Sequence, residues 1–335
     1  MIKVVFYQRK RHLAGNFSLE FIFEDVRARL NTKIIAIKKI SSFRSNGILP
    51  RLFNLLEAPF YQADVNHVTG DIHYVCALLK KNKTILTIHD CGFLNIEESL
   101  KKKVLKLFWL TLPIQRVKYI TTVSEATKKD ILKHSHCHPD KIKVIPVAVS
   151  TIYQPCPSQF NKAKPRLLQI GTAPNKNISR LIEAIRAIPC HLVIIGKIDD
   201  TLITQLEEHS ISYENKYNIS IEELYAEYQK SDILTFVSTF EGFGMPIIEA
   251  NSVERPVITG NITSMPEIAG NAACVVDPYD VNAIREGLLK IIQNDIFRNT
   301  LIENGKINKN RYSASTIADK YFELYQKVNI ENVSR

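Results

Sequence analysis

Residues 233–249 read ILTFVSTFEGFGMPIIE, and this stretch indicates the fold more clearly than any other part of the chain. The apolar run at 233–237 predicts a short buried strand. Glycines follow it in a tight turn, and Pro246 suits the first position of a helix because it has no N–H and a preset φ. A helix N-terminus after such a turn offers free N–H groups and the positive end of the helix dipole. Because Glu241 and Glu249 lie on either side of the turn, we predict a ligand site there.

The strand and helix pattern of this segment repeats along the whole chain. Apolar runs alternate with helix-like stretches, which predicts parallel sheets with crossover helices. Two series of strands are expected: 4–7, 33–37, 64–68, 84–88, 119–123 and 143–145, then 166–170, 191–195, 233–237, 257–259 and 274–276.

The length of 335 residues favours two domains of about 150 residues each. A proline-rich segment, 150–165, reads as the linker between them. Apolar residues recur at helical spacing from Ile317 to Val328, which predicts a last amphipathic helix that packs back on the first domain. We therefore expect an α/β protein with two doubly wound, Rossmann-like domains that face each other, with a ligand in the central cleft. The predicted segments are 1–150, 151–312 and 313–335.

Composition and charge narrow the class of protein. Six cysteines without paired spacing are typical of reduced thiols in a cytoplasmic protein. The chain starts with an apolar run followed by basic residues, the reverse of a signal peptide, and it lacks the roughly 20 apolar residues of a membrane span. A net charge of +10 admits nucleic acid, an anionic membrane or anionic small molecules as partners. Since no nucleic-acid-binding motif is present, we expect no nucleic-acid partner.

Four stretches of the second half resemble the retaining glycosyltransferases of family 4, also called group 1, which have the GT-B fold. The first half is similar to the same family more loosely, at 87–90, 122–125 and 144–146. The resemblance spans nearly the whole chain and implies a donor-binding second domain and an acceptor-binding first domain. The four stretches are 170–177, 193–197, 231–249 and 265–278.

The resemblance assigns roles to the segment quoted first. It implies that Glu249 binds the donor ribose and that Glu241 contacts the donor sugar and supports the transition state. Backbone N–H groups of Phe243, Gly244 and Met245 are expected to bind the sugar or the diphosphate. Taken singly, either glutamate could instead be a carboxylate that stabilises a helix N-terminus.

Lys176 lies a few residues after Gly171 and is expected to neutralise the donor diphosphate. Thr172 belongs to the same expected donor site. Most family members add an arginine directly after the glycine or beside the lysine, whereas this chain has Thr172 and Asn175 there. Arg180 is a candidate replacement. The alternative for Lys176 is an ordinary solvated lysine of a loop.

The first half supplies further candidates. His89, at the end of a predicted strand, matches the family histidine that contacts the donor sugar, although a structural histidine is the alternative. Gly15 lies where the family lets its backbone approach the phosphate. On the acceptor side, His67, Asp71 or His73 could line the site, and a simple turn explains this segment comparably well.

Two segments of the first half bear on metal binding and on membrane binding. The run His-Ser-His-Cys-His at 134–138 suggests zinc, but structural zinc usually draws on two separated pairs of ligands. No Asp-x-Asp sequence occurs, so we predict no metal and no cofactor. Three lysines precede an apolar stretch at 101–112, which predicts either a membrane-surface helix or an ordinary packed helix. Peripheral attachment to an anionic inner membrane surface is kept as a hypothesis.

Together, these features predict a cytoplasmic, retaining, metal-independent hexosyltransferase. It would move a sugar from a nucleoside-diphosphate sugar to a hydroxyl of a glycan or lipid-linked acceptor, in polysaccharide or lipopolysaccharide assembly. The family resemblance favours a mechanism in which the departing phosphate helps to deprotonate the incoming hydroxyl on the same face of the sugar. Two alternatives remain: a nucleotide-sugar epimerase of the same fold, or a non-catalytic nucleotide-sugar-binding protein.

Overall fold

The structure is a computed structural model that describes residues 1–10, 18–94 and 97–333. The chain divides into two compact units. The first unit comprises Met1–Ala148 with Ala314–Arg335, and the second comprises Val149–Ser313.

The first unit contains a parallel six-stranded sheet with strand order β2-β1-β3-β4-β5-β6. Three of its four inner strands, β3, β4 and β5, are buried at every residue, as expected for a parallel sheet covered on both faces. The strands are β1 Ile2–Gln8, β2 Ile34–Ile40, β3 Val65–Val68, β4 Thr84–Ile88, β5 Tyr119–Thr122 and β6 Ile142–Val144.

Helices connect these strands. They are α1 Ser18–Arg29, α2 Ile48–Glu57, α3 Leu100–Lys106, α4 Leu112–Gln115 and α5 Glu125–His134. A π-helical turn, Leu107–Thr111, joins α3 to α4. Short 3₁₀ turns lie at Ala58–Tyr61, His73–Leu78, Lys81–Lys83, Gly92–Leu94 and Pro139–Lys141.

The second unit contains another parallel six-stranded sheet, with strand order β12-β11-β10-β7-β8-β9. The strands are β7 Arg166–Ile170, β8 His191–Ile195, β9 Tyr213–Lys216, β10 Ile233–Phe236, β11 Val257–Gly260 and β12 Ala273–Val276. The two sheets with their crossover helices confirm the predicted α/β class.

Strand β9 was not predicted from the sequence. Its four residues, Tyr-Glu-Asn-Lys, are all half-buried at the sheet edge, and Tyr213 packs against the core. Polar contacts hold the others: Glu214 pairs with Arg166 at 2.9 Å, and Lys216 pairs with Glu227 at 2.8 Å. A strand with three polar residues in four lacks the apolar pattern on which the prediction depends.

The helices of the second unit are α6 Ile178–Ile185, α7 Asp200–Glu208, α8 Ile221–Lys230, α9 Met245–Ser252, α10 Met265–Ala269, α11 Val281–Gln293 and α12 Asp295–Asn308. Further 3₁₀ turns lie at Pro174–Lys176 and Lys309–Tyr312. The N-terminus of α8 is a capping box between Ser220 and Glu223. Helix α9 begins at Met245, so Pro246 is its second residue and not its first as predicted.

The last helix, α13 Ala314–Val333, packs on the first unit. Its apolar side chains join a core cluster with β1 and α1, and Ile317, Tyr321 and Val328 are buried in it. Lys33 forms a 2.7 Å ion pair with Asp319 on the exposed side of the helix. Among the residues that the structure describes, no helix is both long and apolar enough to cross a membrane.

Candidate functional site

In the second unit, the loops that follow β7 and β10 lie side by side because these two strands are parallel neighbours. Hydrogen bonds join the loops: Thr239 N donates to Asn175 O at 2.8 Å, and Asn175 Nδ2 donates to Phe240 O at 2.8 Å. The carboxyl ends of parallel strands are where α/β sheets bind ligands. The fold thus brings the predicted residues of two distant segments to one edge of the sheet.

Lys176 and Glu241 form an ion pair at this edge. Lys176 Nζ lies 2.6 Å from Glu241 Oε1, and the two side chains are only 18% and 14% exposed. The ammonium group also lies 4.8 Å from the centre of the Phe236 ring, a cation–π distance. A lysine held this way is not an ordinary solvated loop residue. It places a positive charge and a carboxylate together at the end of the sheet.

Two glycines make room for the first loop. Gly171 has a φ of +86°, and a Cβ on it would lie 2.8 Å from Lys176 Cε. Gly196 has a φ of +133°, and a Cβ there would lie 2.9 Å from Thr172 Cγ2. Both positions therefore require glycine for conformation and for space. Thr172, where the family usually places an arginine, packs over Gly196.

Asn177 is a site residue to which the sequence assigned no role. It adopts a left-handed conformation with φ 62° and is buried. Its Nδ2 donates to Val237 O at 2.9 Å and to Pro278 O at 2.6 Å, which joins three loops. Its Oδ1 accepts from Arg180 Nη1 at 2.9 Å, so Asn177 also positions the candidate arginine. The available signal was an asparagine directly before a helix, a residue that tolerates this conformation and often caps helices.

The glycine turn presents unused backbone donors. Gly244, with φ +111°, is the N-cap of α9. Within the part of the chain that the structure describes, the N–H groups of Phe243, Gly244 and Met245 donate to no other residue. Ser264 Oγ lies 3.0 Å from Glu241 O and 2.7 Å from Phe243 O, and these contacts hold the turn. Free N–H groups at a helix N-terminus are suited to bind an anion or sugar hydroxyls.

Glu249, on α9, is buried and takes a hydrogen bond of 2.6 Å from the hydroxyl of Tyr228. Burial raises the pKa of its carboxyl group to about 7, and hydrogen bonds from Tyr228 and Tyr153 act in the opposite direction. The rings of Tyr153 and Tyr228 pack edge to face at 5.4 Å. No local pattern predicts that these two tyrosines surround the glutamate, because they come from separate segments of the chain.

In the first unit, His89 lines a pocket of about 300 Å³. Its Nε2 lies 3.1 Å from Thr69 O. Burial lowers the pKa of His89, although its hydrogen bond to Thr69 raises it in part, so the neutral imidazole is favoured at neutral pH. The other residues that line the pocket are Asp71, His73, Asp90, Phe93, Leu105 and Trp109.

The other residues predicted in the first half differ in whether they line this pocket. Asp71 and His73 line the same pocket as His89. His67 does not, because it is fully buried between the hydroxyls of Tyr325, at 2.8 Å, and Thr87, at 2.7 Å. Burial lowers the pKa of His67 to about 3, which is typical of a structural histidine. Gly15 lies outside the described residues.

The histidine-rich run at 134–138 also has a structural explanation. His138 Nδ1 accepts from Asp140 N at 3.3 Å at the start of a 3₁₀ turn. Across residues 1–10, 18–94 and 97–333, no three His, Cys, Asp or Glu side chains lie close enough together to hold a metal ion.

Sequence models of two families match successive parts of the chain. One, described as Glycosyltransferase Family 4, matches residues 19–152, and the other, Glycosyl transferases group 1, matches residues 155–308. The chain belongs to the group 1 glycosyltransferases of family 4. The second match contains every candidate residue around the glycine turn, and the first contains His89 and its pocket.

Curated relatives of this group 1 glycosyltransferase carry related names. The O-antigen chain mannosyltransferase RfbU of Salmonella typhimurium is 30% identical over 232 residues, which cover 66% of this chain and 64% of the relative. The O-antigen chain mannosyltransferase B of Escherichia coli is 28% identical over 269 residues, covering 73% and 70%. The aligned region thus spans less than two thirds of the length of RfbU.

The fold of this group 1 glycosyltransferase is shared with solved structures. Anabaena Alr3699/HepE, solved in complex with UDP and glucose, superposes with a TM-score of 0.79 at 15% identity, covering 98% of this chain and 100% of that one. This similarity confirms the GT-B fold.

Proposed function

We propose that this protein transfers a mannosyl residue, with retention of configuration, from a nucleoside-diphosphate sugar to a hydroxyl of a glycan in O-antigen-type assembly. The observation that carries the proposal is the Lys176–Glu241 pair beside three N–H groups of the glycine turn that donate to no residue the structure describes. Two relatives named as O-antigen chain mannosyltransferases support the choice of sugar and pathway class. A neighbour of the same fold that binds UDP and glucose supports the class of donor.

Lys176 would stabilise the leaving diphosphate. Two unit charges 4 Å apart interact by about 4 kcal/mol at the effective dielectric of a protein surface. Because the diphosphate of a nucleotide sugar carries two negative charges and Glu241 carries one, the diphosphate can replace Glu241 as the partner of the ammonium group. Exchange of partners would free the Glu241 carboxylate, which could then accept hydroxyls of the sugar or offset positive charge at its anomeric carbon. The three N–H groups of the glycine turn, fixed before the reaction, supply further donors without reorganisation.

The proposed reaction occurs on one face of the sugar. The bond between the anomeric carbon and the diphosphate oxygen breaks, and its electron pair goes to the diphosphate. The acceptor oxygen bonds to the anomeric carbon on the same face, and its proton moves to an oxygen of the departing diphosphate. We propose that Lys176 and the α9 N-terminus provide the positive charge for this step, so that turnover persists in a chelator such as EDTA.

The pocket of the first unit is suited to a sugar acceptor. Trp109 Nε1 donates to Asp71 Oδ1 at 3.0 Å, and His73 Nδ1 lies 2.7 Å from Trp109 O, so the indole is fixed in place. An aromatic ring beside carboxylates can pack on the C–H groups of a sugar while the carboxylates accept its hydroxyls. The carboxylates of Asp71 and Asp90 in the lining favour an uncharged sugar unit over a phosphate group.

The experiment incubates the purified protein with GDP-mannose or UDP-sugars, with and without a mannose-containing oligosaccharide. Transfer predicts a glycosylated acceptor and free nucleoside diphosphate, and NMR of the new linkage reports retention. Interconversion of the donor without acceptor would identify an epimerase, and binding without any turnover would identify a binding protein. Either result contradicts the proposal.

Variants test the site itself. We expect Lys176→Met and Glu241→Gln each to lower kcat/KM by about 10²–10³-fold, the usual loss when one electrostatic contact to a transition state is removed. Lys164→Met, at an exposed lysine of the same unit, is the matched control and should leave kcat/KM unchanged. Unchanged transfer by Glu241→Gln would contradict the assignment of the site.

A further inference from the structure

Helix α2 exposes five of its apolar residues and buries a polar one, the reverse of most surface helices. Surface helices bury their apolar stripe and expose polar residues. In α2 the buried residue is Asn54, whereas Ile48 and Leu49 are 82% and 77% exposed. Leu52, Phe53 and Leu56 are about half exposed and lie on the same side at helical spacing. These five apolar residues are called the α2 face.

Specific contacts hold α2 in this orientation. The Asn54 side chain accepts from Phe43 N at 3.1 Å and donates to Phe43 O at 2.9 Å. It also donates to the Tyr74 hydroxyl at 3.2 Å, which anchors the helix to the first unit. The Phe43 ring packs edge to face on Phe53 at 4.9 Å and is itself half exposed, so it extends the α2 face. The buried Asn54 and the half-buried Leu55, which packs against the core of the first unit, together set the outward position of the α2 face.

Basic residues outnumber acidic residues in the part of the chain around α2. Residues 26–56 contain seven basic residues and no acidic residue: Arg27, Arg29, Lys33, Lys38, Lys39, Arg44 and Arg51. Five of these pair with acids outside the stretch: Arg27 and Lys38 with Glu24, Arg29 with Asp25, Lys33 with Asp319 and Lys39 with Glu57. With those four acids counted against the seven basic residues, an excess of three positive charges remains. Beyond the helix, Phe60 is 85% exposed, and Lys39 Nζ lies 4.0 Å from the centre of the Tyr61 ring. Apolar residues among cations, with a tyrosine at their border, match the boundary between lipid headgroups and acyl chains.

We propose that the α2 face docks on an anionic lipid bilayer, with α2 lying in the plane of the interface. The excess of basic residues favours this occupant over a second copy of the chain, which would bring the same positive charge to the contact. Exposed apolar residues of a soluble surface helix gain free energy when they enter the headgroup region, and the surrounding cations add attraction to anionic lipid. This binding does not depend on the proposed reaction.

A second exposed apolar surface of the first unit is an alternative site for contact with the bilayer. Leu100, Val104, Leu107 and Phe108 of α3 and its π-helical turn are also exposed, next to the lysines that suggested a membrane helix in the sequence. The α2 face has five exposed apolar residues against four and is extended by Phe43, so the proposal assigns it the main contact.

Co-sedimentation with vesicles tests the proposal on the full-length protein. Equimolar phosphatidylglycerol and phosphatidylcholine vesicles should bind the protein, vesicles of phosphatidylcholine alone should bind it more weakly, and added salt should weaken the anionic binding. We expect the double variant Leu49→Gln, Phe53→Gln to lower the partition coefficient at least about tenfold, which corresponds to about 1.4 kcal/mol.

Two further variants are compared with it. Ile296→Gln with Ile307→Gln changes two equally exposed apolar residues of the second unit and should leave the partition coefficient unchanged. Val104→Gln with Phe108→Gln should lower the partition coefficient less than Leu49→Gln with Phe53→Gln does. Circular dichroism of each variant checks that it is folded.

Three results would overturn the proposal. These are no binding of the wild-type protein to anionic vesicles, a loss that is as large or larger for the α3 variant, and a dimer in light scattering that the α2 variant converts to a monomer. Transfer to a soluble oligosaccharide, measured on the same samples, should stay unchanged in the α2 variant. Failure of the membrane proposal is thereby distinguishable from failure of the proposed reaction.

Discussion

The buried carboxyl group of Glu249 should make the stability of the second unit depend on pH. Burial raises the pKa of Glu249 from 4.5 to about 7 in the folded protein. Between these values the folded state keeps the proton and the unfolded state has released it. Folding therefore gains from this group below about pH 4.5, and the gain is lost as the pH rises towards about 7. A rise from 4.5 to about 7 corresponds to about 3 kcal/mol.

Glu249→Gln removes this titration while keeping a hydrogen-bond acceptor for Tyr228. From about pH 5 to about pH 8, the free energy of unfolding of the wild type should fall by about 2–3 kcal/mol more than that of the variant. Urea unfolding followed by circular dichroism at several pH values measures this difference. A ¹³C NMR titration of the glutamate carboxyl groups measures the pKa directly, and the signal with a midpoint near 7 should be absent from the variant.

The same measurement has a clear refuting result. Parallel pH profiles for the wild type and Glu249→Gln, or a Glu249 midpoint near 4.5, would show that the carboxyl group is solvated. Donor binding provides a second readout. If the ionised carboxylate binds the donor ribose, donor affinity of the wild type rises with pH through about 7, and the Glu249→Gln variant lacks this rise.

Three other substitutions test the remaining parts of the site. Asn177→Ala should destabilise the second unit by about 2–3 kcal/mol in urea unfolding, because two buried carbonyl groups lose their donor; a loss below about 0.5 kcal/mol would contradict this role. Gly171→Ala places a methyl group against the Lys176 stem, so kcat/KM should fall as it does for Lys176→Met, and wild-type kinetics would refute the packing argument. Trp109→Ala should raise the acceptor KM about tenfold with an unchanged donor KM, and Trp109→Phe should restore most of the loss; equal changes in both KM values would contradict an acceptor pocket.

Much of the fold could be predicted from local patterns. The bounds of β4, β7 and β8 agree residue for residue with apolar runs in the sequence, because buried parallel strands are continuous in apolar residues. Strand β9 was missed because three of its four residues are polar, and its position depends on pairing with β8 and on an ion pair of Glu214 with Arg166, 48 positions away. Local patterns report what a segment buries, and they carry no information on its distant partners.

For the candidate site, the sequence predicted which residues belong to it but not the contacts between them. The motif named Lys176 and Glu241 as members of one site, but their direct ion pair depends on the pairing of β7 with β10, which brings residues 65 positions apart into contact. The role of Asn177 was not predicted, because its two carbonyl partners lie in loops that follow other strands.

The α/β class, the family and the glycine turn between Glu241 and Glu249 can all be predicted from the amino-acid sequence, because each depends on short-range spacing of residues. The pKa of Glu249 and the outward orientation of α2 depend instead on tertiary contacts. The first arises from burial beside two tyrosines of other segments, and the second from hydrogen bonds that Asn54 makes with Phe43 and Tyr74. Desolvation and exposure are properties of how segments pack together, so no single segment contains them.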